Sequence, residues 1–140
     1  MLLLILSSML IDTHAHIHSQ DYPVDPTEAL KRAAEAGVGK IICLVTDEQD
    51  SERAIDFAAS HSNCWASVGL HPHEAANYSE KQIEMALHRL DELADSPKVV
   101  AIGECGLDLY YNQPQHLTQQ ERILRHQIEL ALKHDLPLIT

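Results

Sequence analysis

The chain has 140 residues, 45% of them hydrophobic, and its 10 Lys and Arg against 21 Asp and Glu give a formal net charge of −11. Size and composition fit one globular domain with a real core and exclude a disordered or low-complexity chain. The acidic balance excludes a broad, nonspecific grip on nucleic acid, which needs positive charge to displace counterions.

The opening run Met1–Leu6 is apolar but has no basic residue before it and leads into Asp12 rather than a cleavage site. It is also too short to span a bilayer. Residues 1–8 are expected to be an upstream extension or the start of the first strand, and residues 9–140 one domain. Met9–Thr13 is a short apolar run and reads as the first buried strand. Asp25-Pro26-Thr27-Glu28 then offers an N-cap, a proline at the first helical position and a glutamate in the first turn, with Gly37 or Gly39 closing that helix. Lys40–Thr46 is the second expected strand, and a helix starting at Asp50 or Ser51 carries Ile55, Ala58 and Ala59. Trp65–Leu70 is the third strand. Ser79-Glu80-Lys81-Gln82 has the form of a capping box, after which Ile83, Leu87, Leu90 and Ala94 share one face until Pro97. Val99–Gly103 is the fourth strand. Thr118-Gln119-Gln120-Glu121 is a second capping-box pattern, leading Ile123, Leu124, Ile128, Ala131 and Leu132 along a fourth helix. Leu136–Ile139 reads as a fifth strand.

Strict alternation of strand and helix implies parallel strands with helical crossovers. No G-x-G-x-x-G follows the first strand, which argues against a doubly wound dinucleotide fold. Polar residues recur instead at strand ends (His14 and His16, His71 and His73, Glu104), where a (β/α)8 barrel concentrates its chemistry. The expected fold class is α/β, a TIM (β/α)8 barrel truncated after about strand five.

His14 and His16 stand two apart after an apolar run, so both rings of an extended strand reach one face, about 7 Å apart along it, and can turn onto a shared cation. The plain alternative is two polar residues at a strand edge, with His18 a loop neighbour. Glu104 ends an apolar stretch, where a carboxylate is costly unless paired or metal-bound; a salt bridge to Lys or Arg is the alternative. In Gly69-Leu70-His71-Pro72-His73 the proline aims His71 at a site mouth or merely shapes a turn; His71 is the candidate for substrate contact and His73 the weaker one. Asp108 is expected to hydrogen-bond within its own loop after the turn at Gly106. His61, His88, His116, His126 and His134 read as exposed polar residues. Cys105, next to Glu104, should face away from the site, which argues against a cysteine nucleophile. Cys43, Cys64 and Cys105 are odd in number and widely spaced, which argues against a disulfide framework and for a cytoplasmic setting.

Three runs in order, Leu10-Ile11-Asp12-Thr13-His14-Ala15-His16, Ser67-Val68-Gly69-Leu70-His71-Pro72-His73 and Ile102-Gly103-Glu104-Cys105-Gly106-Leu107-Asp108, resemble the TatD family of metal-dependent hydrolases and DNases. The likeness runs from Met9 to Thr140. It implies an amidohydrolase-like barrel with one or two divalent cations (Zn, Mn, Mg or similar) at its C-terminal mouth. His14, His16 and Glu104 match the family's metal ligands, and His71 matches a histidine near the substrate phosphate. The family pattern places further ligands and an acid/base aspartate beyond Thr140, so the 140 residues alone are expected to have little activity. The implied reaction is hydrolysis of phosphodiester bonds in DNA by metal-activated water, with no membrane and no obligate protein partner. Two rivals remain: another amidohydrolase-type barrel acting on C–N, lactone or phosphotriester bonds, and a non-catalytic assembly fragment of a split gene.

Overall fold

A computed structural model describes residues 9–110 and 116–140. The chain alternates β1 (Leu10–Ala15), α1 (Pro26–Glu35), β2 (Val38–Cys43), α2 (Glu48–Ser60), β3 (Cys64–Val68), a 3-10 turn (Pro72–Ala76), α3 (Glu80–Leu93), β4 (Val99–Ile102) and α4 (Leu117–His134). The strands form one parallel sheet in the order β1-β2-β3-β4. Each strand is followed by a helix that returns the chain to the same end, so all the strand C-termini and their loops share one rim. Expectations on residues 1–8 lie outside the described residues.

Local chemistry sets most boundaries. The Asp25 carboxylate accepts from the Thr27 and Glu28 amides with Pro26 at the first position, and Ser79 and Gln82 close a reciprocal capping box. Two expected starts are corrected. The second helix begins at Glu48 because the Asp47 side chain caps the Asp50 amide. The Thr118 pattern makes no cap: α4 begins one residue earlier, behind His116, with no side-chain cap bond.

Two packed clusters divide the molecule. One joins β3, β4, α3 and α4 through Val68, Leu70, Ile83, Leu87, Leu90, Ile102, Ile123 and Leu130. The other sits between β2, α2 and β3, around Ile41, Cys43, Val45, Ala54, Cys64 and Ala66, with Ile17 tucked in. The expected burial of the first strand is corrected: β1 is an edge strand, with Leu10 and Ile11 more than half exposed. The expected fifth strand is reduced to a single parallel bridge between Ile102 and Leu138. The remaining strands end two to three residues short of their expected limits or, for β4, one residue short.

The inner face of α4 also differs from its apolar pattern. Ile128 and Leu132 face outward, whereas Gln120 and Gln127 are buried. The reason is hydrogen bonding. Gln127 accepts from the Leu70 amide (2.9 Å) and donates to the Leu70 carbonyl (3.0 Å), and Gln120 does the same for Asp108 (2.8 and 3.0 Å). A buried backbone that lacks ladder partners needs both a donor and an acceptor, and a carboxamide carries both.

Candidate metal centre

His14 lies near the end of β1, where the pairing departs from simple alternation. Asp12 pairs with Ile41 and Ala15 with Cys43, so β1 carries one extra residue over this stretch, a bulge of the kind that re-aims side chains beside active sites. The His14 amide is taken up by the Asp12 carboxylate (3.0 Å). His16 follows the strand, and its ring meets that of His14 edge-on with centroids 5.4 Å apart. Glu104 comes two residues after β4 and reaches the same point. One ligand atom each from His14, His16 and Glu104 lies within 4.8 Å of the others, a spacing that one cation or a close pair of cations would span.

The bonds behind these rings decide what each can offer. His16 donates Nδ1–H to the Leu44 carbonyl (2.8 Å), because a carbonyl only accepts; in the neutral ring this leaves the lone pair on Nε2. His71 has the opposite arrangement. Its Nδ1 accepts from the His73 amide (3.1 Å), so the ring proton sits on Nε2, 3.7 Å from Glu104 Oε1. In their neutral rings the two outward nitrogens therefore differ: His16 presents a lone pair and His71 an N–H. His14 Nε2 stands 3.8 Å from Glu104 Oε2. Both of these neighbours of the Glu104 carboxylate are histidines, not the Lys or Arg of the alternative reading. This donor set of two imidazoles and a carboxylate fits a divalent cation that accepts mixed nitrogen and oxygen donors, such as zinc or manganese.

Pro72 opens the 3-10 turn with His71 as its N-terminal cap, while the His71 amide donates to the Thr46 carbonyl (2.8 Å). A cleft of about 420 Å³ beside Glu104 is lined by His71, His73, Leu107, Asp108 and Thr140. His73 is exposed there, its ring 6.3 Å from that of His71. Gly103 has φ +146°, and a Cβ on it would run into the Ile139 carbonyl oxygen; only glycine carries the chain into Glu104 this way. Asp108 accepts from the Tyr110 amide (2.9 Å), as its place in the loop suggested. Cys105 is buried against the Ile139 carbonyl, and burial together with the neighbouring Glu104 charge pushes its thiol up to about 11. That is the wrong direction for a nucleophile.

Three other histidines depart from expectation. His18 lies in the turn after β1, as expected of a loop residue, but it is buried and bonded to Asp50 (3.1 Å). His134 is largely enclosed between Asp91 and Asp95, and His61 stacks on Phe57. The sequence signal for His18 was its place next in the His14, His16 series, and Asp50 carried no signal beyond its position in the first turn of a helix. Burial pushes the Asp50 carboxyl up, but the His18 bond and charge, the Thr46 amide and Arg53 outweigh it and hold it below the usual carboxylate range.

A sheet of parallel strands with helical crossovers and polar side chains gathered at the C-terminal rim is the arrangement found in part of a (β/α)8 barrel. The sequence profile of the family TatD related DNase matches residues 11–140, and the chain belongs to that family. It is 38% identical over 129 residues to the uncharacterized metal-dependent hydrolase YjjV of Escherichia coli K12, covering 92% of this chain and 49% of that protein. It is 36% identical to the 3'-5' ssDNA/RNA exonuclease TatD of Cronobacter turicensis, covering 92% and 47%. The crystal structure of E. coli YjjV superposes with a TM-score of 0.81 at 37% identity over 91% of this chain and 48% of that one. The chain thus spans about half the length of the curated relatives it matches. Among the described residues no helix is long and apolar enough to cross a membrane.

Proposed function

We propose that this chain is the metal-binding N-terminal part of a hydrolase that cleaves phosphodiester bonds in DNA, with single-stranded nucleic acid as its substrate. The observation that carries this reading is the convergence of His14, His16 and Glu104 within 4.8 Å. These three hold one or two divalent cations, with zinc, manganese or magnesium the candidate ions. When bound, such a cation supplies Lewis-acid polarisation of a phosphoryl oxygen and lowers the pKa of a water beside it.

His71 is the catalytic donor: its Nε2–H faces the same opening and steadies a phosphate oxygen as charge builds there. His73 contacts the substrate further along the cleft. Neutral imidazoles leave the cation's charge uncancelled, which is how a chain of net charge −11 binds a phosphodiester at one point without a basic surface. The three cysteines, all free and buried, suit a reducing compartment, and we place the protein in the cytoplasm.

Isothermal titration of zinc into the chain and into the His14→Ala/His16→Ala double variant tests the ligand set; equal binding by both removes it. For the reaction, the longer protein is assayed on single-stranded DNA with and without chelator. Cleavage that needs added divalent metal and is lost in Glu104→Ala supports the proposal. Cleavage indifferent to chelator or to Glu104→Ala overturns it.

A further inference from the structure

We propose that Asp50 and His18, which touch neither cation nor substrate, are positioning residues that jointly set His16 and His71 around the Glu104 carboxylate. The proposal rests on the metal reading above and adds residues to it. His16, Ile17, His18 and Ser19 form a tight turn closed by a bond from the Ser19 amide to the His16 carbonyl (2.9 Å). That turn is pinned at two points: Ile17 is buried in the core, and His18 Nε2 donates to Asp50 Oδ1 (3.1 Å). The other Asp50 oxygen accepts from the Thr46 amide (3.2 Å), and the Thr46 carbonyl in turn receives the His71 amide (2.8 Å). One carboxylate at the start of α2 thus ties the loop carrying a ligand to the loop carrying the phosphate donor. Arg53 also donates to Asp50 Oδ1 (3.0 Å), leaving the carboxylate little freedom to turn.

The burial of His18 argues that this arrangement is not filler. Its side chain is fully enclosed, yet its Nδ1 has no hydrogen-bond partner among the described residues. Leaving a buried imidazole nitrogen unbonded is costly, and an apolar side chain would fill the same space without that cost. What the imidazole adds is a donor at the distance Asp50 requires. Groups that orient metal ligands from behind typically change affinity ten- to hundredfold when removed.

The test is zinc titration by calorimetry, with cobalt(II) visible spectra as a reporter of ligand geometry, on the wild type, Asp50→Asn, His18→Leu and His18→Gln. The melting temperature of each metal-free protein is measured alongside. Ile83→Val, in the core under α3, is the destabilised control. Asp50→Asn and His18→Leu are expected to weaken zinc binding about ten- to hundredfold and to alter the cobalt spectrum. His18→Gln, whose terminal nitrogen stands near the place of Nε2, should retain most of the affinity, and Ile83→Val should bind as the wild type does. Wild-type affinity in Asp50→Asn overturns the proposal and leaves the metal reading standing. So does a His18→Gln as weak as His18→Leu, or an equal loss in Ile83→Val. If Asp50→Asn does not fold, the leucine and glutamine variants of His18 decide. Absence of zinc binding in the wild type overturns the metal reading itself and this proposal with it.

Discussion

The half of the molecule built on β3, β4, α3 and α4 and the half built on β1 and α1 contribute to the same site from opposite circumstances. The first is closed: Leu70, Ile83, Leu90 and Ile102 have no measurable exposure. In the second, β1 is exposed along most of its length and α1 buries no residue. His71 and Glu104 therefore come from the firm half and His14 from the open one, while His16, just past β1, is held by the buried Ile17 and His18 that follow it. Position in the chain does not decide how firmly a residue is held; the number of packed layers behind it does.

The contrast can be tested by substitution, starting where it should be greatest. Leu90→Ala should cost about 2–5 kcal/mol in denaturant unfolding, whereas Leu10→Ala on the edge strand should stay within about 0.5 kcal/mol. Similar losses at both positions would show that β1 is covered in solution. Gly103→Ala, which meets the Ile139 carbonyl at an unfavourable φ, should cost about 1–3 kcal/mol. Gly37→Ala at φ +89° has open space around it and should cost about 1 kcal/mol.

Helix caps give a smaller contrast. Ser79→Ala should lower global stability by about 1 kcal/mol. Asp25→Ala should appear chiefly as faster amide exchange within α1, because that helix can fray without opening the core. Slow exchange in α1 of the Asp25→Ala protein would contradict this.

The smallest effect concerns acid. Lys133 and His134 on α4 hold the Asp91 carboxyl on α3 below its ordinary pKa, against a minor contribution from burial. A depressed folded-state pKa adds stability that is present above the ordinary carboxylate value, about 3.9, and is lost as pH falls through the folded value. The wild type should therefore lose more stability than Asp91→Asn below about pH 4, by a margin that salt reduces. Parallel acid profiles would show the pair to be without weight.

The element order, the sense of the sheet and the residues that meet at the rim were legible from periodicity, from caps and from three short runs. Asp25 and Ser79 announced their helices because a cap is a local contest settled within four residues. Thr118 announced one it does not cap, since α4 starts at Leu117 and tertiary contacts fix its phase. The exposure of β1 was not legible: Leu10 and Ile11 are as apolar as any core strand, and nothing local tells an edge from a centre. Nor was the part played by His18 and Asp50. They are 32 residues apart, and each alone looks like an ordinary polar residue near an element boundary. The division of labour between His16 and His71 rests on which ring nitrogen faces a carbonyl and which an amide, and that is decided only in three dimensions.

Gln120 and Gln127 lie two helical turns apart on α4, and each grips both main-chain groups of a rim residue, Asp108 and Leu70 respectively. A side chain that must give and receive at once has few substitutes. Glutamate keeps the shape but turns an oxygen toward the Leu70 carbonyl, setting two acceptors against each other. Deamidation of Gln127, a chemical lesion of one atom on an outer helix, would thus loosen the residue directly before His71 while leaving every proposed ligand intact.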